Sequence, residues 1–410
     1  MQVIDVIYLM FTFLSLYFTI LFLIIYFDTR KEFLNSPLPK KYEPLTIIMP
    51  AHNEQSNIYE AIMRIKQSKY PKKLLKIIVI DDASTDDTPN ILKKINGITI
   101  ITNKQNMGCA AKPCNVALKM VKTKYVAVVD ADSFIEDTAL ARMVALLQED
   151  EMVGAVTAAI TTKYQKTFLQ KIQNIEYSII VWARKLLQSV ESIYVTPGPL
   201  AMYRTKVLKD VGGFDEKNIT QDIEIAWKVM YHGYKVRMSM QSKVKVTSPQ
   251  YLRAWWRQRL RWSMGGLQTL WKYKHTLFKT KYGMLGQFVG PFFLLSLITS
   301  LTGFCIFMYV TVITVLKATL AVLAPNQVLQ SYVDMIALPS LFLYFGVIIF
   351  ILSLLYVYLG LHTMDNLKYL SLRRFRVVYI IIYLTAYVTI FPIVLLAAMW
   401  RLYRKDMSWY

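Results

Sequence analysis

Apolar residues are distributed along this chain in two contrasting patterns. Val6 to Phe27 is an almost unbroken apolar run, and three more long runs fill the last third. Each has the length of a bilayer crossing, about 20 residues. Between Leu45 and Ile160 the pattern is different: short apolar runs alternate with stretches of spaced apolar residues. Strands alternating with helices predict right-handed βαβ units and a parallel sheet.

The spacing predicts strands at Leu45–Met49, Leu75–Ile80, Ile98–Ile101, Val126–Val129 and Val153–Ile160. Helices are expected over Ser56–Lys66, after a cap at Thr85 or Asp86, from Met107-Gly108 to Met120, over Phe168–Ser189, Ile223–Tyr231 and Leu252–Trp271. Turns fall at Thr196-Pro197-Gly198-Pro199 and Gly212-Gly213-Phe214-Asp215. Polar clusters recur where predicted strands end: Pro50-Ala51-His52-Asn53-Glu54, Asp81-Asp82-Ala83-Ser84-Thr85-Asp86 and Asp130-Ala131-Asp132. An open α/β sheet binds its ligands beyond the carboxyl ends of its strands. That repeated coincidence points to an enzyme.

The long runs make this a membrane protein with four predicted domains: an N-terminal crossing at 1–30, a catalytic α/β domain at 31–245, interfacial helices at 246–285 and a crossing region at 286–410. Asp5 precedes the first run, and Arg30 and Lys31 follow it. The positive-inside rule then places the α/β domain in the cytoplasm of a multi-pass cell-membrane protein. The later runs are Phe288–Leu316, Ile336–Leu361 and Val377–Trp400, with Pro339 in the second. Lys368, Arg373, Arg374 and Arg376 form a basic loop before the third. Three crossings would put Arg401, Arg404 and Lys405 outside, against the same rule. The formal charge of +21 over 410 residues raises nucleic acid as a partner. Basic residues beside apolar runs favour membrane lipids and anionic substrates instead. Three scattered cysteines and four distant histidines give neither a disulfide framework nor a zinc site.

Asp130 and Asp132, one residue apart at a strand end, make a hard oxygen site. Mg²⁺ or Mn²⁺ prefers such ligands and would bridge them to the phosphates of a nucleotide. A lone Asp-x-Asp is more often a solvated loop; here the other pieces follow in order. Trp255, Trp256, Trp262 and Trp271 interleave with Arg253, Arg257, Arg259 and Arg261. That mixture suits a membrane-interface helix, or a site where indole stacks on sugar and guanidinium grips phosphate.

Five signatures together resemble the membrane-embedded, processive family-2 glycosyltransferases, such as cellulose, chitin, hyaluronan and poly-N-acetylglucosamine synthases. They are Pro50-Ala51-His52-Asn53-Glu54, Asp81-Asp82-Ala83-Ser84, Asp130-Ala131-Asp132, Thr220-Gln221-Asp222 and Gln258-Arg259-Leu260-Arg261-Trp262. The resemblance implies a GT-A (nucleotide-diphospho-sugar transferase) domain with a mixed, mainly parallel sheet, joined to transmembrane helices. It implies that Ala51, Glu54 and Asp82 contact the nucleotide of a UDP-sugar, with Asp130 beside them. Asp132 and Asp130 would hold Mg²⁺ or Mn²⁺, and Asp222 would be the general base. Gln258, Arg261 and Trp262 would form the acceptor and diphosphate end. Gly198 and Arg204 resemble an acceptor segment of hyaluronan and chitin-oligosaccharide synthases. Two departures stand out: Gln221 replaces the usual Glu before the base, and Lys112 is displaced towards Asn115. A Phe-x-Val-Thr gating segment is not evident.

The expected activity is inverting transfer from a UDP-sugar to a growing polysaccharide, with N-acetylglucosamine the first guess for the sugar. Transfer of one sugar to a lipid acceptor, such as a polyprenyl phosphate or ceramide-like lipid, is the second reading, and a transporter or structural membrane protein with a degenerate transferase domain the third. Simpler roles compete at single residues. Asp82 could start a turn, Asp222 could serve the helix dipole, and Trp262 could anchor the interface.

Overall fold

The computed structural model describes residues 3–323, 341–364 and 373–406. An eight-stranded sheet with order β3-β2-β1-β4-β7-β6-β8-β5 forms its centre. The strands are β1 (Leu45–Ala51), β2 (Leu75–Asp81), β3 (Thr99–Thr102), β4 (Tyr125–Val128), β5 (Ser133–Ile135), β6 (Val153–Thr162), β7 (Ala201–Arg204) and β8 (Lys235–Val246). β1 pairs in parallel with β2 and β4, and β2 with β3. β7 enters antiparallel between β4 and β6, so the sheet is mixed.

β1, β4 and most of β2 are buried on both faces, as their apolar runs predict, while β3 at the sheet edge is largely exposed. Ile47 and Met49 pack with α2 (Ile58–Gln67) and α5 (Ala139–Glu149) on one face. Ile48 and Val126 pack on the other with α4 (Ala111–Met120), α6 (Phe168–Ser189) and α8 (Gln221–Tyr231). Two short helices, α3 (Thr88–Lys93) and α7 (Thr205–Asp210), complete the layers. The predicted helix over Phe168–Ser189 starts at a capping box, with Thr167 and Gln170 bonding reciprocally.

The chain order above omits α5, α7, β5, β7 and β8. β8 is legible in retrospect: its apolar and polar residues largely alternate, and burial alternates with them. β5 and β7 have three and four residues, too few to show a period.

Four helical stretches are long and apolar enough to cross a membrane: Leu9–Thr29, Leu285–Leu316, Phe345–Thr363 and Val377–Tyr403. They lie in α1 (Val3–Thr29), in α10 (Gly290–Leu323) with the turn before it, in α11 (Leu341–Thr363), and in α12 (Arg373–Ile382) continuing into α13 (Val388–Tyr403). Residues 336–340, Lys368 and the side chains of Arg373, Arg374 and Arg376 lie outside the described residues. α1 docks on the α/β domain at its end: the Tyr26 ring lies 5.3 Å from that of Trp182 in α6. Tyr26 also hydrogen-bonds Thr363 at the end of α11, at 3.0 Å. α9 (Leu252–Lys272) follows β8 and carries Gln258, Arg261 and Trp262.

Candidate active site

Ala51, Asp82, Asp130 and Asp132 sit at the carboxyl ends of β1, β2 and β4, where an open α/β sheet places its ligands. Register brings Ala51 opposite Asp81, and the Asp82 amide donates to the Ala51 carbonyl at 2.8 Å. The two loops that follow are stitched together. Asn53, in a left-handed conformation at φ 56°, receives the Thr85 amide on its side chain at 2.8 Å and donates its own amide to Ser84 at 3.0 Å. His52 Nδ1 lies 2.9 Å from the Asp82 carbonyl. The Asp82 carboxylate accepts from Asn103 at 2.7 Å and from the Met107 amide at 3.0 Å, which ties the loop after β3 to the site. Glu54 accepts from Asn57, and burial raises its carboxyl above the usual range.

Asp130 and Asp132 follow β4 directly. Both are partly open, and enclosure pushes both carboxyls up. For Asp130 the negative charges of Asp132 and Asp222 add to burial, while Arg261 opposes them. Asp222 is the second residue of α8, where the helix dipole favours an anion. Its carboxyl is raised by burial and held back by Arg261 first, then by its hydrogen bond from the Ile223 amide and by Arg184. Its carbonyl accepts from Thr196 N at 3.0 Å, pinning the Thr196-Pro197-Gly198 turn. Arg261 therefore acts on all three acids, from a helix distant in sequence.

Gly198 is required by close approach. A Cβ there would sit 2.7 Å from Asp130 Oδ2. Gly265 of α9 is more crowded still: its Cβ would meet Thr220 Oγ1 at 1.7 Å. Asn218 donates to Thr269 at 3.0 Å, and the Ile219 amide to Gln268 at 3.0 Å. These contacts press α9 against the Thr220-Gln221-Asp222 segment. Gln258 and Gln221 each keep a buried Oε1 without a hydrogen-bond partner, as does Nη1 of buried Arg184. Buried atoms of this kind take an ordered water or a polar ligand as partner. The Arg259 guanidinium lies 4.1 Å from the Trp262 ring centroid.

One predicted site residue is elsewhere. Arg204 pairs with Tyr125 at the far end of β4, because β7 runs antiparallel to it. At about 3.3 Å per residue this is roughly 16 Å from Asp130. Its guanidinium instead donates to the carbonyls of Val153 and Asp150, both at 2.9 Å, and of Leu147. Arg204 closes the α5–β6 turn and does not reach the acceptor side. Lys112 donates to the Met107 carbonyl at 3.2 Å.

Sequence reading passed over Glu176, Tyr177 and Arg184 of α6. Arg259 pairs with Glu176 inside the protein, and Tyr177 feels the Asp132 charge. Glu176 and Arg184 stand eight residues apart, on one helix face. Charges at that spacing in a largely buried helix were the available signal.

Among the described residues no group of three or more His, Cys, Asp or Glu side chains forms a metal cage. Two adjacent carboxylates do fit a hard cation that keeps waters and phosphate oxygens as its other ligands. Their mutual repulsion would be relieved by it.

Residues 46–212 match the model of Glycosyl transferase family 2. Among curated relatives, poly-beta-1,6-N-acetyl-D-glucosamine synthase of Staphylococcus epidermidis is 29% identical over 277 residues, 66% of this chain and 66% of that one. The synthase of the same name from Staphylococcus aureus (strain COL) is 28% identical over the same share of each. Among solved structures, a mannosyltransferase of Pyrobaculum calidifontis in complex with GDP-Man and Mn²⁺ has a TM-score of 0.52 at 21% identity. It covers 82% of this chain and 97% of that one. At that identity the likeness is one of fold, and the fold is GT-A.

Proposed function

We propose that the chain, whose residues 46–212 match the model of Glycosyl transferase family 2, is an inverting, membrane-integrated glycosyltransferase. It transfers a sugar from a UDP-sugar to a growing polysaccharide on the cytoplasmic side. The observation that carries this reading is the convergence of Asp130, Asp132, Asp222 and Arg261 in one electrostatic cluster. The name of the relatives, poly-beta-1,6-N-acetyl-D-glucosamine synthase, supports UDP-N-acetylglucosamine as donor and a β-1,6-linked polymer as product.

The roles follow from the chemistry. Asp82 and Glu54 line the nucleotide end, and Ala51 supplies a flat strand end on which the base rests. Asp130 and Asp132 hold the divalent cation, which when bound neutralises the diphosphate. Arg261 adds positive charge where the leaving diphosphate gathers negative charge. Asp222 takes the proton of the acceptor hydroxyl, and burial, which raises its carboxyl above the usual range, makes the ionised form a stronger base. Attack from the opposite face inverts the anomeric centre in one displacement, so no enzyme nucleophile is required. Gly198, Gln258 and Trp262 border the acceptor, with the orphaned Gln258 oxygen accepting from a sugar hydroxyl.

The test is to incubate membranes carrying the full chain with labelled UDP-sugars and either Mg²⁺ or Mn²⁺, then size the products. A ladder or polymer from UDP-N-acetylglucosamine alone is the expected result. A single addition to lipid would replace the polymer reading, and no turnover with any UDP-sugar would end the proposal.

A further inference from the structure

The last apolar run, Val377–Tyr403, is long enough to cross a bilayer. Its path argues otherwise. α11, the helix before it, ends on the cytoplasmic side of the reading above: Thr363 bonds Tyr26, and Gly360 packs on Trp182 of the catalytic domain. The run then stays on that domain. Tyr379 lies 5.4 Å from Phe168 and 5.7 Å from the Lys171 ammonium, both of α6. Tyr387 donates to Glu176 at 2.7 Å and accepts from the Trp255 indole. Further on, the fully buried Val394 and Ala398 share one apolar cluster with Trp255, Leu260 and Met264 of α9, and Leu402 and Leu267 both pack at its edge.

α9 cannot itself be in the hydrocarbon. It carries Arg253, Arg257, Arg259 and Arg261. It is also fastened to the catalytic domain along its length: Arg259 to Glu176, Thr269 to Asn218, and Lys272 to Asp215 and Glu224, both at 2.6 Å. A helix crossing the roughly 30 Å core would leave such a partner within a turn or two; α13 follows it from Trp255 to Met264. On the opposite face, Ile393, Leu396, Trp400 and Tyr403 are exposed, the last two by 60% and 80%. Their spacing puts them on one stripe, and Arg401, Arg404 and Lys405 follow or flank it.

We propose that α12 and α13 do not cross the membrane. They lie in the plane of the cytoplasmic leaflet, with that stripe among the acyl chains and the basic residues at the headgroups. Among the described residues α1, α10 and α11 remain as crossings, and residues 401–406 are cytoplasmic. The basic residues then obey the positive-inside rule, which three C-terminal crossings violate. α9 and α13 become one plate with a substrate face and a lipid face. This rests on the membrane orientation of the proposed function and not on its chemistry.

The test fuses the full chain, after Tyr410, to a fluorescent protein that matures only in the cytoplasm or to a phosphatase active only outside. Fluorescence without phosphatase activity is expected; the reverse overturns the proposal. A second measurement places an environment-sensitive dye on Leu396→Cys in a Cys305→Ser background, in vesicles containing brominated lipids. Quenching should be strongest with bromine near the headgroup. Strongest quenching by deep bromine would return α13 to the bilayer centre and overturn the interfacial placement. No quenching at all would take the stripe off the membrane and overturn it equally.

Discussion

The two sides of the cleft are held by different physics. The nucleotide side is a set of loops at the ends of β1, β2 and β4, tied by short hydrogen bonds among neighbouring polar groups: Asn53 with Ser84 and Thr85, Asp82 with Asn103 and Met107. The acceptor side is a set of helices joined by close packing and one buried ion pair: Gly265 on Thr220, Arg259 on Glu176, Trp255 on Tyr387. Loops on a rigid sheet can lose a side chain and keep their place. Packed helices with a buried charge cannot. Changes on the two sides should therefore separate into losses of chemistry and losses of structure.

The largest effect tests the junction. Asp222→Asn removes the base while keeping shape and the helix start. Transfer should fall by about 10²–10⁴-fold, the usual share of a general base, with nucleotide binding by calorimetry unchanged and the unfolding temperature no lower than the parent's. Full transfer would remove Asp222 from its role. On the acceptor side, Glu176→Ala strands Arg259 in a dry interior and should cost about 3–5 kcal/mol. Chemical or thermal unfolding in detergent reads it, and activity should fall with the folded fraction. A stable, active Glu176→Ala protein would mean that the helices are not held by this pair.

Much of this contrast is visible in the sequence and some is not. The nucleotide side is local: each acid ends an apolar run, so Asp82, Asp130 and Asp132 announce themselves within a few residues. The acceptor side depends on partners far apart, such as Glu176 with Arg259 and Gly265 with Thr220, and no periodicity links them. Gln258 and Arg261, three apart on a predicted helix, were legible as neighbours, but what α9 packs on was not. Arg204 shows the limit most clearly. A four-residue strand running antiparallel carried it away from Gly198, and four residues hold too little pattern to reveal a reversal.

A smaller effect distinguishes the sides by pH. The carboxyls of Asp130, Asp132 and Asp222 are raised in the folded protein from a value of 3.8. The folded state then binds more protons than the unfolded one, so stability falls as pH rises from about 4 through the raised values. With chelator present, the unfolding temperature should decline over that window. Mn²⁺ should oppose the decline, stabilising more at pH 8 than at pH 5, because only ionised carboxylates bind it. The Asp130→Asn/Asp132→Asn protein should lose most of both effects. Equal stabilisation by Mn²⁺ at both pH values would argue against these two acids as its ligands.

The smallest expected effect on chemistry belongs to Arg204. Its guanidinium donates to the Val153, Asp150 and Leu147 carbonyls, and these bonds close a turn on the side of the sheet away from the acids. Arg204→Gln leaves part of that bonding unmade and should cost about 1–3 kcal/mol, the usual penalty for stranded buried polar groups. Because no catalytic group touches it, transfer per folded molecule and KM for donor and acceptor should match the parent. Gly198→Ala, six residues earlier, makes the opposite prediction. Its new methyl would press on Asp130 Oδ2 and should weaken activity and metal dependence with little change in unfolding. If Arg204→Gln instead raised KM for the acceptor while stability held, the strand reversal at β7 would be wrong, and Arg204 would belong with Gly198 after all.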